Sequence, residues 1–162
     1  MTDIYDFLQR QNIPYEKYEH PAVFTCEEAE KIVPALPGAP TKNLFVKDRK
    51  GKLFLVVVGH EKNVDLKALG NVLHAKSLSF ASPETLKEYL GVEPGSATML
   101  GLLTDTQSVV EVVIDENIWR ADAIQCHPLV NTATLVISHE GLEVFLKATH
   151  HEARVIAVPW QD

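Results

Sequence analysis

The sequence lacks the features that mark several common classes of protein. Its 162 residues include two cysteines, Cys26 and Cys126, which form neither a C-x-x-C pair nor a zinc-ligand spacing. The longest apolar run, residues 53–58, is far shorter than the roughly 18 residues that cross a bilayer. Asp3 and Asp6 stand where a signal peptide would be basic and then apolar. We therefore expect a cytoplasmic chain with free thiols, no metal and no membrane segment.

Basic residues are fewer than acidic residues in this chain. The chain has 15 Lys and Arg against 22 Asp and Glu, a formal net charge of −7. Because nucleic-acid binding over a wide surface depends mainly on neutralising phosphates, this balance argues against such binding. A small basic patch is still compatible with the composition, so a nucleic-acid partner must be argued from particular positions.

The composition and the patterning predict one folded domain that spans residues 1–162. Apolar residues make up 46% of the chain, enough for a core at this length. Apolar spacing and caps predict helices at 2–11, 26–33, 66–73, 83–90 and 141–148. Short apolar runs predict strands at 15–18, 44–47, 53–58, 78–80, 98–103, 109–114, 133–138 and 155–158. Because helices and strands are interspersed and several strands are joined by short turns, the fold class is α+β with a mixed or antiparallel sheet.

Two residues after a Pro- and Gly-rich loop form the first candidate site. Lys42 and Asn43 lie just before the strand predicted at 44–47. A lysine at such a junction can reach a phosphate, a carboxylate or a developing oxyanion, and Asn43 adds a donor and an acceptor. Taken alone, Lys42 is more simply explained as a solvated charge near a turn.

The second candidate is a histidine followed by a proline. Pro128 holds His127 extended, because the residue before a proline avoids the α region. Asn131 and Thr132 follow at the entry to the strand predicted at 133–138, where polar side chains can orient a substrate. The simpler alternative is that Asn131 and Thr132 cap a turn and that His127 is an ordinary histidine.

The third candidate is the loop at 91–99. Its two glycines, with Ser96 and Thr98, could turn backbone N–H groups toward a ligand. It lacks the Gly-x-x-x-x-Gly-Lys spacing of a phosphate-binding loop, and a plain connecting turn is the simpler alternative.

Other arrangements do not support chemistry. His150-His151-Glu152 lacks the H-E-x-x-H spacing of a helical zinc site and is interpreted as a surface helix end. Cys126 precedes His127, but neighbours in an extended segment point to opposite faces. We therefore do not expect a thiolate–imidazole pair.

Taken together and in order, the three candidates resemble a known family. Residues 41–45, then 78–80 with 94–96, then 127–134 are similar to successive motifs of the YbaK-like domain. This is the aminoacyl-tRNA deacylase family related to the insertion domain of bacterial prolyl-tRNA synthetase. The resemblance covers nearly the whole chain and is strongest to free-standing proteins that clear alanine from proline tRNA. It implies a barrel-like mixed sheet surrounded by helices, without metal or organic cofactor.

The resemblance also implies roles for individual residues. Lys42 matches the functional lysine of the family and His127 the histidine of its His-Pro motif, so both are predicted to be catalytic. The predicted substrate-binding residues are Thr25, Asn43, Gly95, Ser96, Met99, Gly101, Pro128 and Asn131. His74 and Lys76 are predicted to contact tRNA. Gly95 matches the first residue of a family Gly-x-x-x-Pro loop, but Met99 replaces its proline, a departure that bears on the preferred amino acid.

The activity that this resemblance implies is hydrolysis of the ester of Ala-tRNA(Pro). An ester has a reasonable leaving group, so orientation of water and stabilisation of the oxyanion can suffice. Lys42 would bind the terminal phosphate or ribose, and His127 would position water or the ribose hydroxyl; general-base action by His127 is the less favoured alternative. Prolyl-tRNA synthetase is an expected partner. Alternatives are the same fold acting on Cys-, Ser- or Thr-charged tRNA, or a non-catalytic module that binds tRNA or the synthetase.

Overall fold

The computed structural model describes residues 3–19, 37–130 and 132–161. These residues form five α-helices, one 3-10 helix and ten strands. The helices are α1 (Ile4–Arg10), α2 (Leu66–Leu73), α3 (Pro83–Leu90), α4 (Glu116–Trp119) and α5 (His139–Ala148), and the 3-10 helix is Met99–Leu103. The strands are β1 (Tyr15–Glu19), β2 (Thr41–Lys47), β3 (Leu53–Gly59), β4 (Asn63–Val64), β5 (Ser79–Phe80), β6 (Glu111–Asp115), β7 (Ala123–Cys126), β8 (Ala133–Ser138), β9 (Ala153–Ile156) and β10 (Trp160–Gln161).

Helix starts follow the caps that the sequence indicates. The Asp65 carboxylate accepts a hydrogen bond from the N–H of Ala68 at 3.0 Å, and Ser82 caps α3 in the same way. These caps satisfy backbone donors that the first turn of a helix leaves open. The helix predicted at 26–33, with Thr25 as its cap, lies outside the described residues.

A five-stranded mixed sheet, in the order β5-β2-β3-β6-β9, is the centre of the fold. β2 pairs antiparallel with β3 and β5, whereas β3, β6 and β9 run parallel. The other described strands form a three-stranded sheet, β1-β8-β7, and a two-stranded one, β10-β4. The α+β class and the mixed sheet are confirmed. Within the described ranges the hydrogen-bonded strands leave the sheets open rather than closed into a barrel.

β3 lies between two apolar clusters, one on each face of the central sheet. All seven of its residues are buried. Odd-numbered residues from 53 to 57 pack in the larger cluster, and even-numbered residues from 54 to 58 in the smaller one. Because successive side chains of a strand point to opposite faces, β3 joins both halves of the core. Each large side chain buried there stabilises the fold by about 1.5–3 kcal/mol.

The segment 98–103 was predicted as a strand, and the prediction is wrong: it is the 3-10 helix Met99–Leu103. Thr98 caps it by accepting the N–H of Leu100 at 3.2 Å. Gly101 packs so closely on Leu90 that an added Cβ would lie 2.7 Å from the Leu90 carbonyl oxygen. This contact between distant segments is not visible in the local apolar pattern.

Other boundaries and some short elements also differ from the sequence prediction. Residues 41–43 belong to β2 itself rather than to the loop before it. β9 ends at Ile156, two residues before the end predicted for that strand. α4 and β7 fall where the sequence predicted no element, because both are only four residues long and carry little periodicity.

His151 is buried, contrary to its interpretation as part of a surface helix end. Its Nε2 lies 2.9 Å from Asp105 Oδ2 and its Nδ1 lies 3.0 Å from Thr149 Oγ1. The same carboxylate accepts the N–H groups of Val109 at 3.0 Å and Val110 at 2.8 Å. Asp105 and His151 therefore tie the loop that follows the 3-10 helix to the end of α5.

Replacing Asp105 with alanine should destabilise the fold strongly. The change removes the partner of His151 Nε2 and of the Val109 and Val110 N–H groups, a loss of about 3–5 kcal/mol in the free energy of unfolding. Urea denaturation measures this loss. The exposed Asp122→Ala variant is the matched control and should change stability by less than about 0.5 kcal/mol. Equal stability of the two variants would contradict a structural role for Asp105.

Candidate functional site

The start of β2 carries the first two predicted site residues on opposite faces. Lys42 lies on the face of Leu44, which packs against the smaller apolar cluster, and Asn43 on the face of Phe45, a member of the larger cluster. Both polar side chains are half-buried. Asn43 Oδ1 is buried and has no hydrogen-bond partner among the described residues.

Lys42 lines a surface cleft of about 390 Å³, named here the Lys42 cleft. The described residues that line it are Lys42, Leu44, Asn63, Val64, Leu66, Phe80 and Gln161. Lys42 is the one charged side chain among them, and most of the others are apolar. A cation above apolar walls suits a ligand that combines an anionic group with a hydrophobic or aromatic part.

The outer wall of the Lys42 cleft is the β10-β4 pair, and buried polar contacts hold it in place. Lys62 Nζ lies 2.7 Å from Asp115 Oδ2, with side-chain exposures of 12% and 1%. The other oxygen of Asp115 accepts the N–H of Val158 at 3.0 Å. The backbone N–H of Asp65 also donates to the carbonyl of Pro159 at 3.1 Å. The C-terminal residues are thereby fixed against the cleft.

His127 is held by two backbone-linked contacts. Its Nδ1 lies 3.1 Å from the carbonyl oxygen of Ala133, and its own carbonyl accepts a hydrogen bond from the Thr98 hydroxyl at 2.7 Å. Because a carbonyl oxygen can only accept, Nδ1 must carry a proton. In the neutral ring the lone pair is then on Nε2, which makes Nε2 the nitrogen able to accept a proton.

The segment that leads to His127 runs beside the start of β2. Ala39 forms a parallel bridge with Ile124, and the Thr41 hydroxyl donates to the carbonyl of Gln125 at 2.5 Å. These contacts bring the two predicted motifs to one end of the central sheet. Lys42 lines the Lys42 cleft. His127 contacts Ala133 of β8 and Thr98 of the loop at 91–99, called here the glycine loop.

The glycine loop and the 3-10 helix that follows it place the predicted site residues in different environments. Gly95 is exposed and has a φ of +89°, a conformation that favours glycine. Ser96 is buried. Met99 is 1% exposed and belongs to the larger apolar cluster, so it fills the core beneath the loop. Gly101 is also buried, and its close packing on Leu90 gives it a structural role.

The remaining predicted site residues are spread around this region. Pro128 is buried beside His127. His74 and Lys76 are exposed directly after α2, with His74 at a φ of +56°. Thr25 and Asn131 lie outside the described residues.

A cluster of cations near Lys76 was missed by the sequence prediction. The backbone N–H of Arg49 donates to the carbonyl of Lys76 at 2.8 Å, which joins the β2-β3 turn to the end of α2. The Asp48 carboxylate accepts the N–H of Lys50 at 2.9 Å and shapes this turn. We call Lys47, Arg49, Lys50 and Lys76 the basic hairpin; all four are exposed. The signal in the sequence was that four of the six residues at 47–52 are basic.

Cys126 is unsuited to nucleophilic chemistry. Its side chain is buried, and burial raises the pKa of the thiol to about 12, so the thiolate is scarce at neutral pH. Within residues 3–19, 37–130 and 132–161 there is also no group of three or more side chains placed to hold a metal ion. No helix in the same ranges is long and apolar enough to cross a membrane.

Comparison with known proteins identifies the family that this chain matches. Residues 20–145 match the family described as the aminoacyl-tRNA editing domain. The prolyl-tRNA synthetase associated domain-containing protein 1 of Danio rerio is 39% identical over 157 residues, 96% of this chain and 85% of that protein. The prolyl-tRNA editing protein ProX of Acetoanaerobium sticklandii is 38% identical over 150 residues, 92% of each chain.

A solved structure shares the fold. It is described as a candidate trans-editing enzyme for prolyl tRNA synthetase, and it matches with a TM-score of 0.74 over 98% of this chain and 96% of that chain. The sequence identity is 19%, so this likeness concerns the fold.

Replacing Thr98 with valine should weaken the link between the glycine loop and His127. The change keeps the size of the side chain but removes the hydroxyl. That hydroxyl donates to the His127 carbonyl and accepts from the Leu100 N–H. We expect a loss of about 1–3 kcal/mol in the free energy of unfolding, measured by urea denaturation. The exposed Thr106→Val variant should stay within about 0.5 kcal/mol of the wild type. An equally stable Thr98→Val variant would rule out this link.

Proposed function

Because the chain belongs to the aminoacyl-tRNA editing domain family, we propose that its substrate is proline tRNA mischarged with alanine. The chain is an aminoacyl-tRNA deacylase, an enzyme that removes the amino acid from mischarged tRNA. The geometric observation that carries the proposal is Lys42, a single cation that projects into an otherwise uncharged cleft. Relatives whose names refer to prolyl-tRNA support the choice of tRNA.

The bond to be cut determines what the site must do. The ester between alanine and the terminal ribose is already labile, so the enzyme needs to orient it and to stabilise the tetrahedral oxyanion. Lys42 binds the terminal phosphate or ribose and holds the ester in place. His127, with Nδ1 fixed as a donor to Ala133, positions the attacking water or the neighbouring ribose hydroxyl. This chemistry uses no metal and no organic cofactor.

Selection against proline rests on size. In the synthetase, each methylene that a smaller amino acid lacks weakens binding by only about 1–3 kcal/mol, so a pocket that accepts proline cannot fully reject alanine. A separate editing site is therefore needed, and it must exclude proline by size. The exposed Gly95 and the half-buried Asn43 are proposed to border the amino-acid pocket. Met99 acts indirectly, because it packs beneath the loop that carries Gly95.

The acidic chain meets tRNA through a local surface. The basic hairpin concentrates four cations in a protein of net charge −7 and is proposed, with His74, to contact the acceptor stem. Few phosphate contacts imply weak binding, which suits an enzyme that acts beside prolyl-tRNA synthetase in the cytoplasm. Thr25 and Asn131 are proposed to complete the substrate site.

Deacylation of a panel of charged proline tRNAs tests the proposed substrate. We expect the purified protein to hydrolyse Ala-tRNA(Pro) at least about tenfold faster than Cys-, Ser- or Thr-tRNA(Pro), because a pocket built for alanine loses binding with each added group. Prolyl-tRNA(Pro) should be spared. Preference for the cysteinyl, seryl or threonyl ester would overturn the choice of alanine.

The Lys42→Ala variant tests the proposed role of Lys42 on the same panel, with Lys147→Ala as the matched control. It should lose at least about a hundredfold in rate on the preferred ester while its thermal unfolding stays unchanged, since Lys42 is proposed to hold the ester against the site. Lys147→Ala, which removes an exposed cation from α5, should behave as the wild type. Equal rates for Lys42→Ala and Lys147→Ala would remove Lys42 from the mechanism.

A further inference from the structure

Phe80 is a large apolar side chain left exposed at the edge of the Lys42 cleft. Its side chain is part of the cleft lining, yet the residue is 62% exposed. Burying a phenylalanine side chain stabilises a fold by about 1.5–3 kcal/mol. The exposed ring of Phe80 does not contribute this stabilisation in full. Aromatic side chains are common in the lining of ligand clefts, where they contact the bound molecule.

The backbone holds Phe80 rigidly on the strand that carries Lys42. Phe80 pairs with Val46 of β2, and the N–H of the next residue, Ala81, donates to the carbonyl of Phe45 at 2.9 Å. Directly paired residues of an antiparallel sheet point to the same face, so the Phe80 ring projects on the face of Val46. By strand alternation this is also the face of Lys42.

The two ends of the cleft therefore offer different chemistry. Lys42 and Val46 are about 13 Å apart along β2, and Leu44 lies between them on the same face. A ligand that crosses Leu44 meets an ammonium group at one end and an aromatic ring at the other. A nucleotide has this pattern, since it joins an anionic phosphate to a flat base.

We infer that Phe80 is a stacking platform for the terminal nucleobase of the tRNA 3′ end. The inference rests on the proposed function, because the ester to be cut is attached to the ribose of that same nucleotide. Proteins that bind single-stranded nucleic acid combine a positively charged groove with aromatic side chains that stack on the bases. Phe80 and Lys42 supply these two elements in one cleft.

Among the residues that the structure describes, Trp160 is the other large exposed aromatic residue near this cleft, and it is a poorer platform. It is 56% exposed, but Lys62 Nζ lies 6.0 Å from its ring centroid and occupies one face of the indole. Among the described residues Phe80 has no such ring or cation contact. With 62% of the residue exposed, the ring is accessible to a base.

Binding of an uncharged acceptor-stem minihelix separates this inference from the choice of amino acid. The probe is an RNA minihelix of the proline tRNA acceptor stem that ends in CCA, compared with one whose terminal residue is abasic. Loss of a base–aromatic stack should raise Kd about 5- to 140-fold. We expect that change for Phe80→Ala and Phe80→Leu with the CCA minihelix, whereas Phe80→Trp should bind as tightly as the wild type.

The abasic minihelix completes a double-mutant cycle. If Phe80 stacks on the terminal base, removing the base weakens binding to the wild type but adds little for Phe80→Ala, because both changes delete one interaction. Val109→Ala, which truncates an exposed apolar residue elsewhere, should bind both probes as the wild type does. Thermal unfolding checks that each variant is folded.

Two outcomes would overturn the inference. Additive effects of the abasic residue and of Phe80→Ala would show that the ring does not contact the base. A Phe80→Ala variant that binds both minihelices normally but changes its preference among the mischarged esters would place the amino acid, not the base, against Phe80. If the wild type fails to hydrolyse Ala-tRNA(Pro), the proposed substrate is wrong, yet the cycle with uncharged RNA still decides the role of Phe80.

Discussion

The pairing of β2 with the fully buried strand β3 is the constraint on which the site depends. β3 supplies side chains to both apolar clusters, so its register cannot slip without turning buried residues to the wrong face. β2 follows that register over seven residue pairs, beginning with Thr41 opposite Gly59. Lys42 is thereby held on the face of the cleft and Asn43 on the opposite face. A slip by one residue would exchange them and remove the cation from the cleft.

A second set of contacts positions the histidine. Thr98 joins the glycine loop to the His127 carbonyl, and Ala133 fixes the ring through Nδ1. Lys42 and His127 are thus anchored to different structures, one to the central sheet and one to the loop and β8. Such an arrangement suits a substrate that spans both regions and is held for hydrolysis, rather than a proton relay between two catalytic side chains.

The sequence predicted most of the elements that depend on local signals. The β2-β3 hairpin, the capped helices α2 and α3, and the α+β class follow from turns, caps and apolar spacing. The face of Lys42 was not predicted, because residues 41–43 were assigned to the loop before the strand. The exposure of Phe80 could not be predicted, because it depends on the pairing of β5 with β2, which are distant in sequence. The apolar run 98–103 was misassigned as a strand because the contact of Gly101 with the Leu90 backbone that favours a 3-10 helix is a tertiary one.

The most direct test of a positioning site is the rate of Ala-tRNA(Pro) hydrolysis by a His127→Asn variant. The asparagine amide can still donate to Ala133, but it cannot take up a proton. If His127 positions the reacting groups, kcat should fall by less than about tenfold and its pH dependence should be unchanged. A fall of about 10²–10⁴, with loss of a pH limb near the usual pKa of histidine, would show that His127 is a general base and would contradict this mechanism.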